Sequence, residues 1–242
     1  MKSLNVFVSI FMTTSLIVSS CGNEGAKNEV ALQKINDQSS NYKEVKIGKQ
    51  LWMAENLNVD KFCNGDPIPH AKTVEEWENA KENGKPAWCY YDNDLANGEK
   101  YGKLYNWYAV NDPRGLAPKN WHVPTKNEWL VLINHLGGQN EAGIKMKSKS
   151  GWSNTDWCKN GNGNNESGFS GLPGGVIYSY KDKNNEGGFE YIGYLGCWWS
   201  SSVNNSYYEG FTWRSSLGFD RIVCGMGSDE QSSGFSVRCL KD

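Results

Sequence analysis

Helical spacing stops at Gly151, and everything after it is cut into short pieces by Gly, Asn and Ser. Before that point two segments read as helices. Thr73-Val74-Glu75-Glu76 opens the first with Thr-x-x-Glu spacing, where the hydroxyl caps a free N–H and the Glu reaches back, and Gly84 ends it. Thr125-x-x-Glu128 opens the second after Pro124, and Trp129, Leu132, Ile133 and Leu136 follow at helical spacing up to Gly137-Gly138. A third helix is expected over Glu141–Lys147, and Val45, Ile47, Leu51 and Trp52 predict a hairpin turning at Gly48. Beyond Gly151, strands are expected at Gly174–Tyr180, Gly188–Tyr194, Cys197–Ser202, Tyr207–Arg214, Phe219–Cys224 and Phe235–Leu240. The last stands out because Phe235, Val237 and Cys239 alternate with Ser236 and Arg238. Helices first and antiparallel strands afterwards make an α+β domain, two to three short helices against an antiparallel sheet. The 11 Trp, 12 Tyr and 8 Phe recur at no fixed interval, which excludes a propeller or solenoid.

Twenty-five Lys+Arg against 27 Asp+Glu leave a net charge of −2, so no basic face and no nucleic-acid partner are expected. An apolar content of 38%, with 13% aromatic, excludes disorder of the whole chain. The chain opens with Lys2, an apolar run over Leu4–Val18 and then Val18-Ser19-Ser20-Cys21, the layout of a secretory signal. The run falls short of the roughly 20 residues a membrane helix needs. Its end resembles the lipobox of bacterial lipoproteins, an aliphatic and two small residues before a cysteine that is lipidated. Two or more acyl chains, at about 0.8 kcal/mol per methylene, anchor stably. The alternative is an ordinary cleaved signal with an incidental Cys21. The expected layout is a lipoprotein signal peptide over 1–20, a polar flexible tether over 21–42 and one domain over 43–242. The membrane is then a partner through the lipid. Gly22 after Cys21 gives no acidic retention signal and only Glu24 resembles a surface-export cue, so an outer-membrane lipoprotein is expected, on either face.

Of seven cysteines, lipidation of Cys21 would leave Cys63, Cys89, Cys158, Cys197, Cys224 and Cys239, an even set suited to disulfides in an oxidising compartment. Sequence does not choose the pairing, and free buried thiols are the other use. Zinc competes weakly, since no Cys-x-x-Cys or His-x-x-x-His spacing occurs.

Six motifs occur in one order: Leu51-Trp52-Met53-Ala54-Glu55-Asn56-Leu57, Tyr101-Gly102-Lys103-Leu104-Tyr105-Asn106-Trp107, Trp121-His122-Val123-Pro124-Thr125, Gly168-Phe169-Ser170-Gly171-Leu172-Pro173, Trp198-Trp199-Ser200-Ser201 and Gly234-Phe235-Ser236-Val237-Arg238-Cys239. Together they resemble the Fibrobacter succinogenes major paralogous domain, found in secreted and lipid-anchored bacterial proteins, from about Val45 to Asp242. The family often has a Cys before the Trp-His-Val-Pro segment, where this chain has Ala117-Pro118-Lys119-Asn120, and an Ala at Gly171. The first departure weakens any transfer of a disulfide pattern. The resemblance implies a C-type-lectin-like fold, with N- and C-terminal strands paired around two helices, and it implies no reaction.

Candidate chemistry is sparse. No Gly-x-Ser-x-Gly elbow, Walker loop or dinucleotide fingerprint occurs. Of the three histidines, His70 lies after two prolines and His135 on the Trp129 helix. His122 is expected as a structural hydrogen-bonding residue at the helix start. Asp92, Asp94, Asn97 and Glu99 are weak calcium candidates. Ala96 puts them out of step with a calcium loop, and an Asx turn capping its own backbone is the plainer reading. Formylglycine-generating oxidases share the lectin-like superfold and use a C-terminal cysteine pair, for which Cys224 and Cys239, on expected neighbouring strands, are the candidates. Trp198-Trp199 with Tyr207, Tyr208, Phe211 and Trp213 would suit a glycan platform, although strand alternation sends half of them to the core. The reading is a non-catalytic, lipid-anchored binding or adhesion module for a polysaccharide or surface protein. The alternatives are a structural surface protein without a small ligand and a formylglycine-generating-type oxidase.

Overall fold

The Gly48 turn forms where the pattern puts it. β1 (Glu44–Ile47) and β2 (Gln50–Met53) pair antiparallel with Ile47 opposite Gln50, and Gly48 turns the chain at φ +61°. The computed structural model describes residues 42–156, 158–178, 188–204, 209–220 and 224–242. The expected signal peptide, Cys21, the tether up to residue 41, and Tyr207 and Tyr208 lie outside the described residues.

Both capped helices are present. α1 (Val74–Glu82) starts at Thr73, whose hydroxyl accepts from the Glu76 N–H, but the Glu76 carboxylate reaches one residue further back, to the Lys72 N–H at 2.6 Å. Between α1 and the Thr125 helix lie two short helices that the sequence pattern does not announce, α2 (Leu95–Tyr101) and α3 (Trp107–Val110). Each is capped by an Asx side chain, Asp94 and Asn106, a signal the search for Thr-x-x-Glu passes over. At α4 (Lys126–His135) the capping box closes in full, and Trp129, Leu132 and Ile133 are buried. α5 (Gln139–Met146) follows after Gly137 and Gly138, both at positive φ, with Ala142 and Met146 buried. Five α-helices therefore stand among the described residues instead of two to three.

The remaining strands are β3 (Trp88–Cys89), β4 (Leu104–Asn106), β5 (Trp121–His122), β6 (Gly174–Tyr178), β7 (Gly188–Ile192), β8 (Leu195–Val203), β9 (Phe211–Gly218), β10 (Cys224–Glu230), β11 (Gly234–Phe235) and β12 (Leu240–Lys241). They form two sheets. One runs β1-β2-β12-β5, so that Leu240 near one end of the domain pairs with Trp52 near the other. The second runs β10-β9-β8-β6-β11-β4-β3 with β7 on β6, and among the described strands only β6 and β8 pair in parallel. The fold is thus mixed α+β with mostly antiparallel sheets.

Three expected strands are redrawn. The one expected at Tyr207–Arg214 runs over Phe211–Gly218, after a turn at Glu209 and Gly210. Phe219 and Asp220 are a turn, residues 221–223 lie outside the described residues, and Cys224 pairs opposite Leu217 in β10. The stretch after Phe235 keeps only two short pieces of ladder, and its apparent alternation has no polar face. Phe235, Ser236, Val237, Arg238 and Cys239 are all buried because the segment passes between the two sheets. The same two-sided cover explains β8. Trp198 and Trp199 point to opposite faces and both are at 0% exposure, Trp198 among Trp52, Trp129 and Leu217, Trp199 among Tyr105, Phe235 and Val237. A strand covered on both faces buries consecutive residues, so neither Trp is free for a surface platform.

Candidate functional site

Five of the six motifs meet at one buried polar cluster. The Asn56 side-chain oxygen accepts from Trp198 Nε1 at 2.8 Å and from Arg238 Nε and Nη2 at 3.2 and 2.5 Å. Its amide donates to the Tyr101 carbonyl at 2.8 Å and the Ser236 hydroxyl at 3.2 Å. Arg238 Nη1 donates to the Phe169 carbonyl, and the guanidinium lies 4.3 Å from the Phe169 ring centroid. Burial pulls Arg238 down to about 9. The sixth motif joins through packing, with Trp129, on the helix it opens, 4.8 Å from Trp52 and 5.9 Å from Phe169, centroid to centroid. Arg238 and Trp198 are closed to solvent, so this cluster holds the fold.

His122 sits at the start of α4 between two carboxylates, Nδ1 on Asp242 at 2.7 Å and Nε2 on Glu128 at 3.0 Å. Burial raises the Glu128 carboxyl, but the Thr125 N–H, the Thr125 hydroxyl and His122 together hold it below its ordinary range. Both ring nitrogens are thus engaged with carboxylates, as expected of a structural hydrogen-bonding residue at the helix start. His70 stacks on Trp88 at 3.8 Å, and burial together with Lys72 and Lys103 lowers its pKa.

Asp92, Asp94, Asn97 and Glu99 do not converge as calcium ligands. Asp94 caps α2 through the Ala96 N–H at 2.9 Å, Asn97 donates from within that helix to the Tyr91 carbonyl at 3.1 Å, and Asp92 sits in a tight turn at φ +55°. The Asp94 oxygen serves the chain's own backbone, as an Asx turn does. Trp213 carries Lys126 Nζ 3.4 Å over its ring, so that ring face is already taken.

The six cysteines expected as disulfide partners are free thiols. Cys89, Cys197, Cys224 and Cys239 are buried as small apolar side chains. Burial pushes Cys197 and Cys224 up to about 11, and Cys239 further. Cys224 and Cys239 are not on neighbouring strands. Cys224 pairs across to Leu217 on β9, while Cys239 adjoins β12 in the other sheet, and they belong to different clusters. The oxidase reading therefore loses its residue pair. A thiol-specific chromogenic reagent is expected to react first with exposed Cys63 and more slowly with half-buried Cys158, the four core thiols appearing only on unfolding. Reductant should leave the melting temperature unmoved; a fall of several degrees would mean that a disulfide forms after all.

A groove opens on the face of β9 and β10 that carries Arg214 and Ser216. Tyr191 and Tyr194, at 51% and 41% exposure, stand beside it. With Phe219 they border a groove of about 350 Å³ whose floor includes Ser216 and Gly225, within the ~300–1,000 Å³ range of small-molecule sites. Phe219 meets Tyr194 edge to face at 5.1 Å, which fixes that ring. Tyr191 is held at φ +63°, a conformation that costs a bulky residue on the order of 1–3 kcal/mol and that collects at functional sites. It faces Gly175, itself at φ +69°, across a gap in the β6–β7 ladder.

The glycines of β10 are equally telling. Gly225 and Gly227 have ordinary extended backbone, and a Cβ on Gly225 would meet only Ser216 Oγ, at 3.4 Å. Neither turn geometry nor packing asks for Gly at 225. A strand glycine without such a cause marks close approach by a ligand or another chain. Sequence reasoning missed this site because it placed a strand across 219–224; the Gly225-x-Gly227 alternation just beyond was the available signal. Exposed aromatic faces beside a few polar groups suit sugar rings, which stack their C–H surfaces and offer hydroxyls at the edges.

No curated protein and no solved structure matches the chain. The Fibrobacter succinogenes major domain model matches residues 45–241, from the first strand to the last, and so covers the Asn56–Arg238 cluster together with the groove; on that match the chain belongs to the Fibrobacter succinogenes major domain family.

Proposed function

We propose that this chain is a lipid-anchored cell-envelope protein, attached to the outer membrane through Cys21, whose domain is a non-catalytic, lectin-like module that binds polysaccharide in the Tyr191–Tyr194 groove. The groove carries the binding reading. Two exposed tyrosines, one in a strained backbone conformation, stand over strand glycines that leave the floor open. The pairing of β12 with β2 supports the lectin-like reading, since it ties the two ends of the domain into a rigid base from which the β7–β8 turn projects. No helix among the described residues is long and apolar enough to cross a membrane; the attachment proposed rests on the signal-like start and the lipobox resemblance at Cys21.

A retention assay of the full chain on insoluble and soluble polysaccharides tests the binding reading. Saturable retention is expected, with affinity cut by about tenfold or more in a Tyr191→Ala/Tyr194→Ala variant, each lost stacking contact being worth about 1 kcal/mol. Chelator should change nothing, because Asp94 is spent on the Ala96 N–H. No retention on any polysaccharide, or retention untouched by the double variant, would sink the reading and leave adhesion to protein or a purely structural role. Palmitate labelling that disappears in Cys21→Ala tests the anchor separately.

A further inference from the structure

We propose that the saccharide in this groove carries a carboxylate, a hexuronate, and that Arg214 reads it; the inference rests on the saccharide-binding reading above. Arg214 Nε donates to Asp229 Oδ2 at 3.2 Å. The other Asp229 oxygen accepts from the Glu230 N–H at 3.2 Å and the Ser233 hydroxyl at 3.3 Å. Three donors thus fix the carboxylate, and it grips the guanidinium from the Nε edge alone. Among the described residues no acceptor meets Nη1 or Nη2. A guanidinium has five N–H donors in a rigid fork, and four of them sit on those two nitrogens.

Gly227 is the register partner of Arg214, and a Cβ there would lie 3.3 Å from Nη1 and 3.6 Å from Nη2. The missing side chain keeps the space beside the free edge clear. The Arg214 side chain is 20% exposed where it lines the groove, so the fork is within reach of a ligand. A guanidinium steadied at one edge and open at the other is preorganised for a planar, bidentate acceptor, and a sugar carboxylate is such a group. A hydroxyl satisfies one donor; a carboxylate satisfies two and adds charge. Tyr191 and Tyr194 supply the ring contact that a free carboxylate cannot use. In the complex the guanidinium bridges two carboxylates, one from the fold and one from the ligand.

The test is calorimetric titration of the full chain with an unbranched galacturonate trimer, its methyl ester and free acetate. The trimer should bind at least about tenfold more tightly than the ester, the difference expected of a charge-assisted hydrogen-bonded pair. Acetate should not bind measurably. Arg214→Gln should abolish the preference, acid and ester then binding equally. Arg214→Lys, which keeps the charge and loses the fork, should lose most of the preference, and it serves as the variant of record if the Gln form unfolds. Equal affinity for acid and ester, or a preference that survives Arg214→Gln, overturns the inference while the saccharide reading stands. Failure of both trimers, together with failure of neutral polysaccharides, overturns both.

Discussion

Asn56→Ala is expected to cost about 3–5 kcal/mol, close to the whole stability of a marginal domain, although the residue is small and does not line the groove. One side chain serves three donors and two acceptors. Removing it leaves the Arg238 charge and the Trp198 N–H without their acceptor, in an interior where neither reaches water, and unpaired buried groups carry the full desolvation penalty. Chemical denaturation measures the loss. A double variant, Asn56→Leu with Arg238→Met, removes the charge along with its acceptor and should recover a large part of it, as apolar replacements of buried ionic groups do. A single-variant cost below about 1 kcal/mol would show that the cluster is a bystander. It would also remove the physical reason why the motifs from Asn56, Tyr101, Phe169, Trp198 and Arg238 occur together.

Much of the framework was legible because it is local. The Thr125–Glu128 capping box, the hydrophobic row from Trp129 to Leu136 and the Gly48 turn are each decided within a dozen residues, and each forms where the spacing places it. Tertiary cover was not legible. The Phe235–Cys239 alternation reads as one wet and one dry face, yet burial between two sheets makes all five residues interior. Arg238, by sequence a surface residue of the last strand, becomes the only charge in the Asn56 cluster for the same reason. Competition for the Asx and cysteine side chains was not legible either. Backbone N–H groups claimed Asp94, and the core claimed the thiols of Cys197, Cys224 and Cys239. The groove escaped notice because its marks are what a strand lacks, side chains at Gly225 and Gly227, and a backbone angle at Tyr191 that no pattern of residue types encodes.

Gly225→Val separates the groove from the fold. Gly in a strand interior costs roughly 0.5–1 kcal/mol, and a β-branched residue suits an extended backbone. The added Cβ meets nothing closer than Ser216 Oγ, at 3.4 Å, so the variant should melt at the wild-type temperature or higher. The same isopropyl group occupies the groove floor between Arg214 and the tyrosines, where a sugar ring would have to lie. Polysaccharide retention of the variant, measured beside its melting curve, is therefore the most direct test of the claim that β10 keeps its glycines for a ligand. The expected result is an equal or greater stability with binding reduced at least about tenfold, a loss of ~1.4 kcal/mol. Wild-type binding in a stable Gly225→Val protein would contradict the account and move the site away from this face.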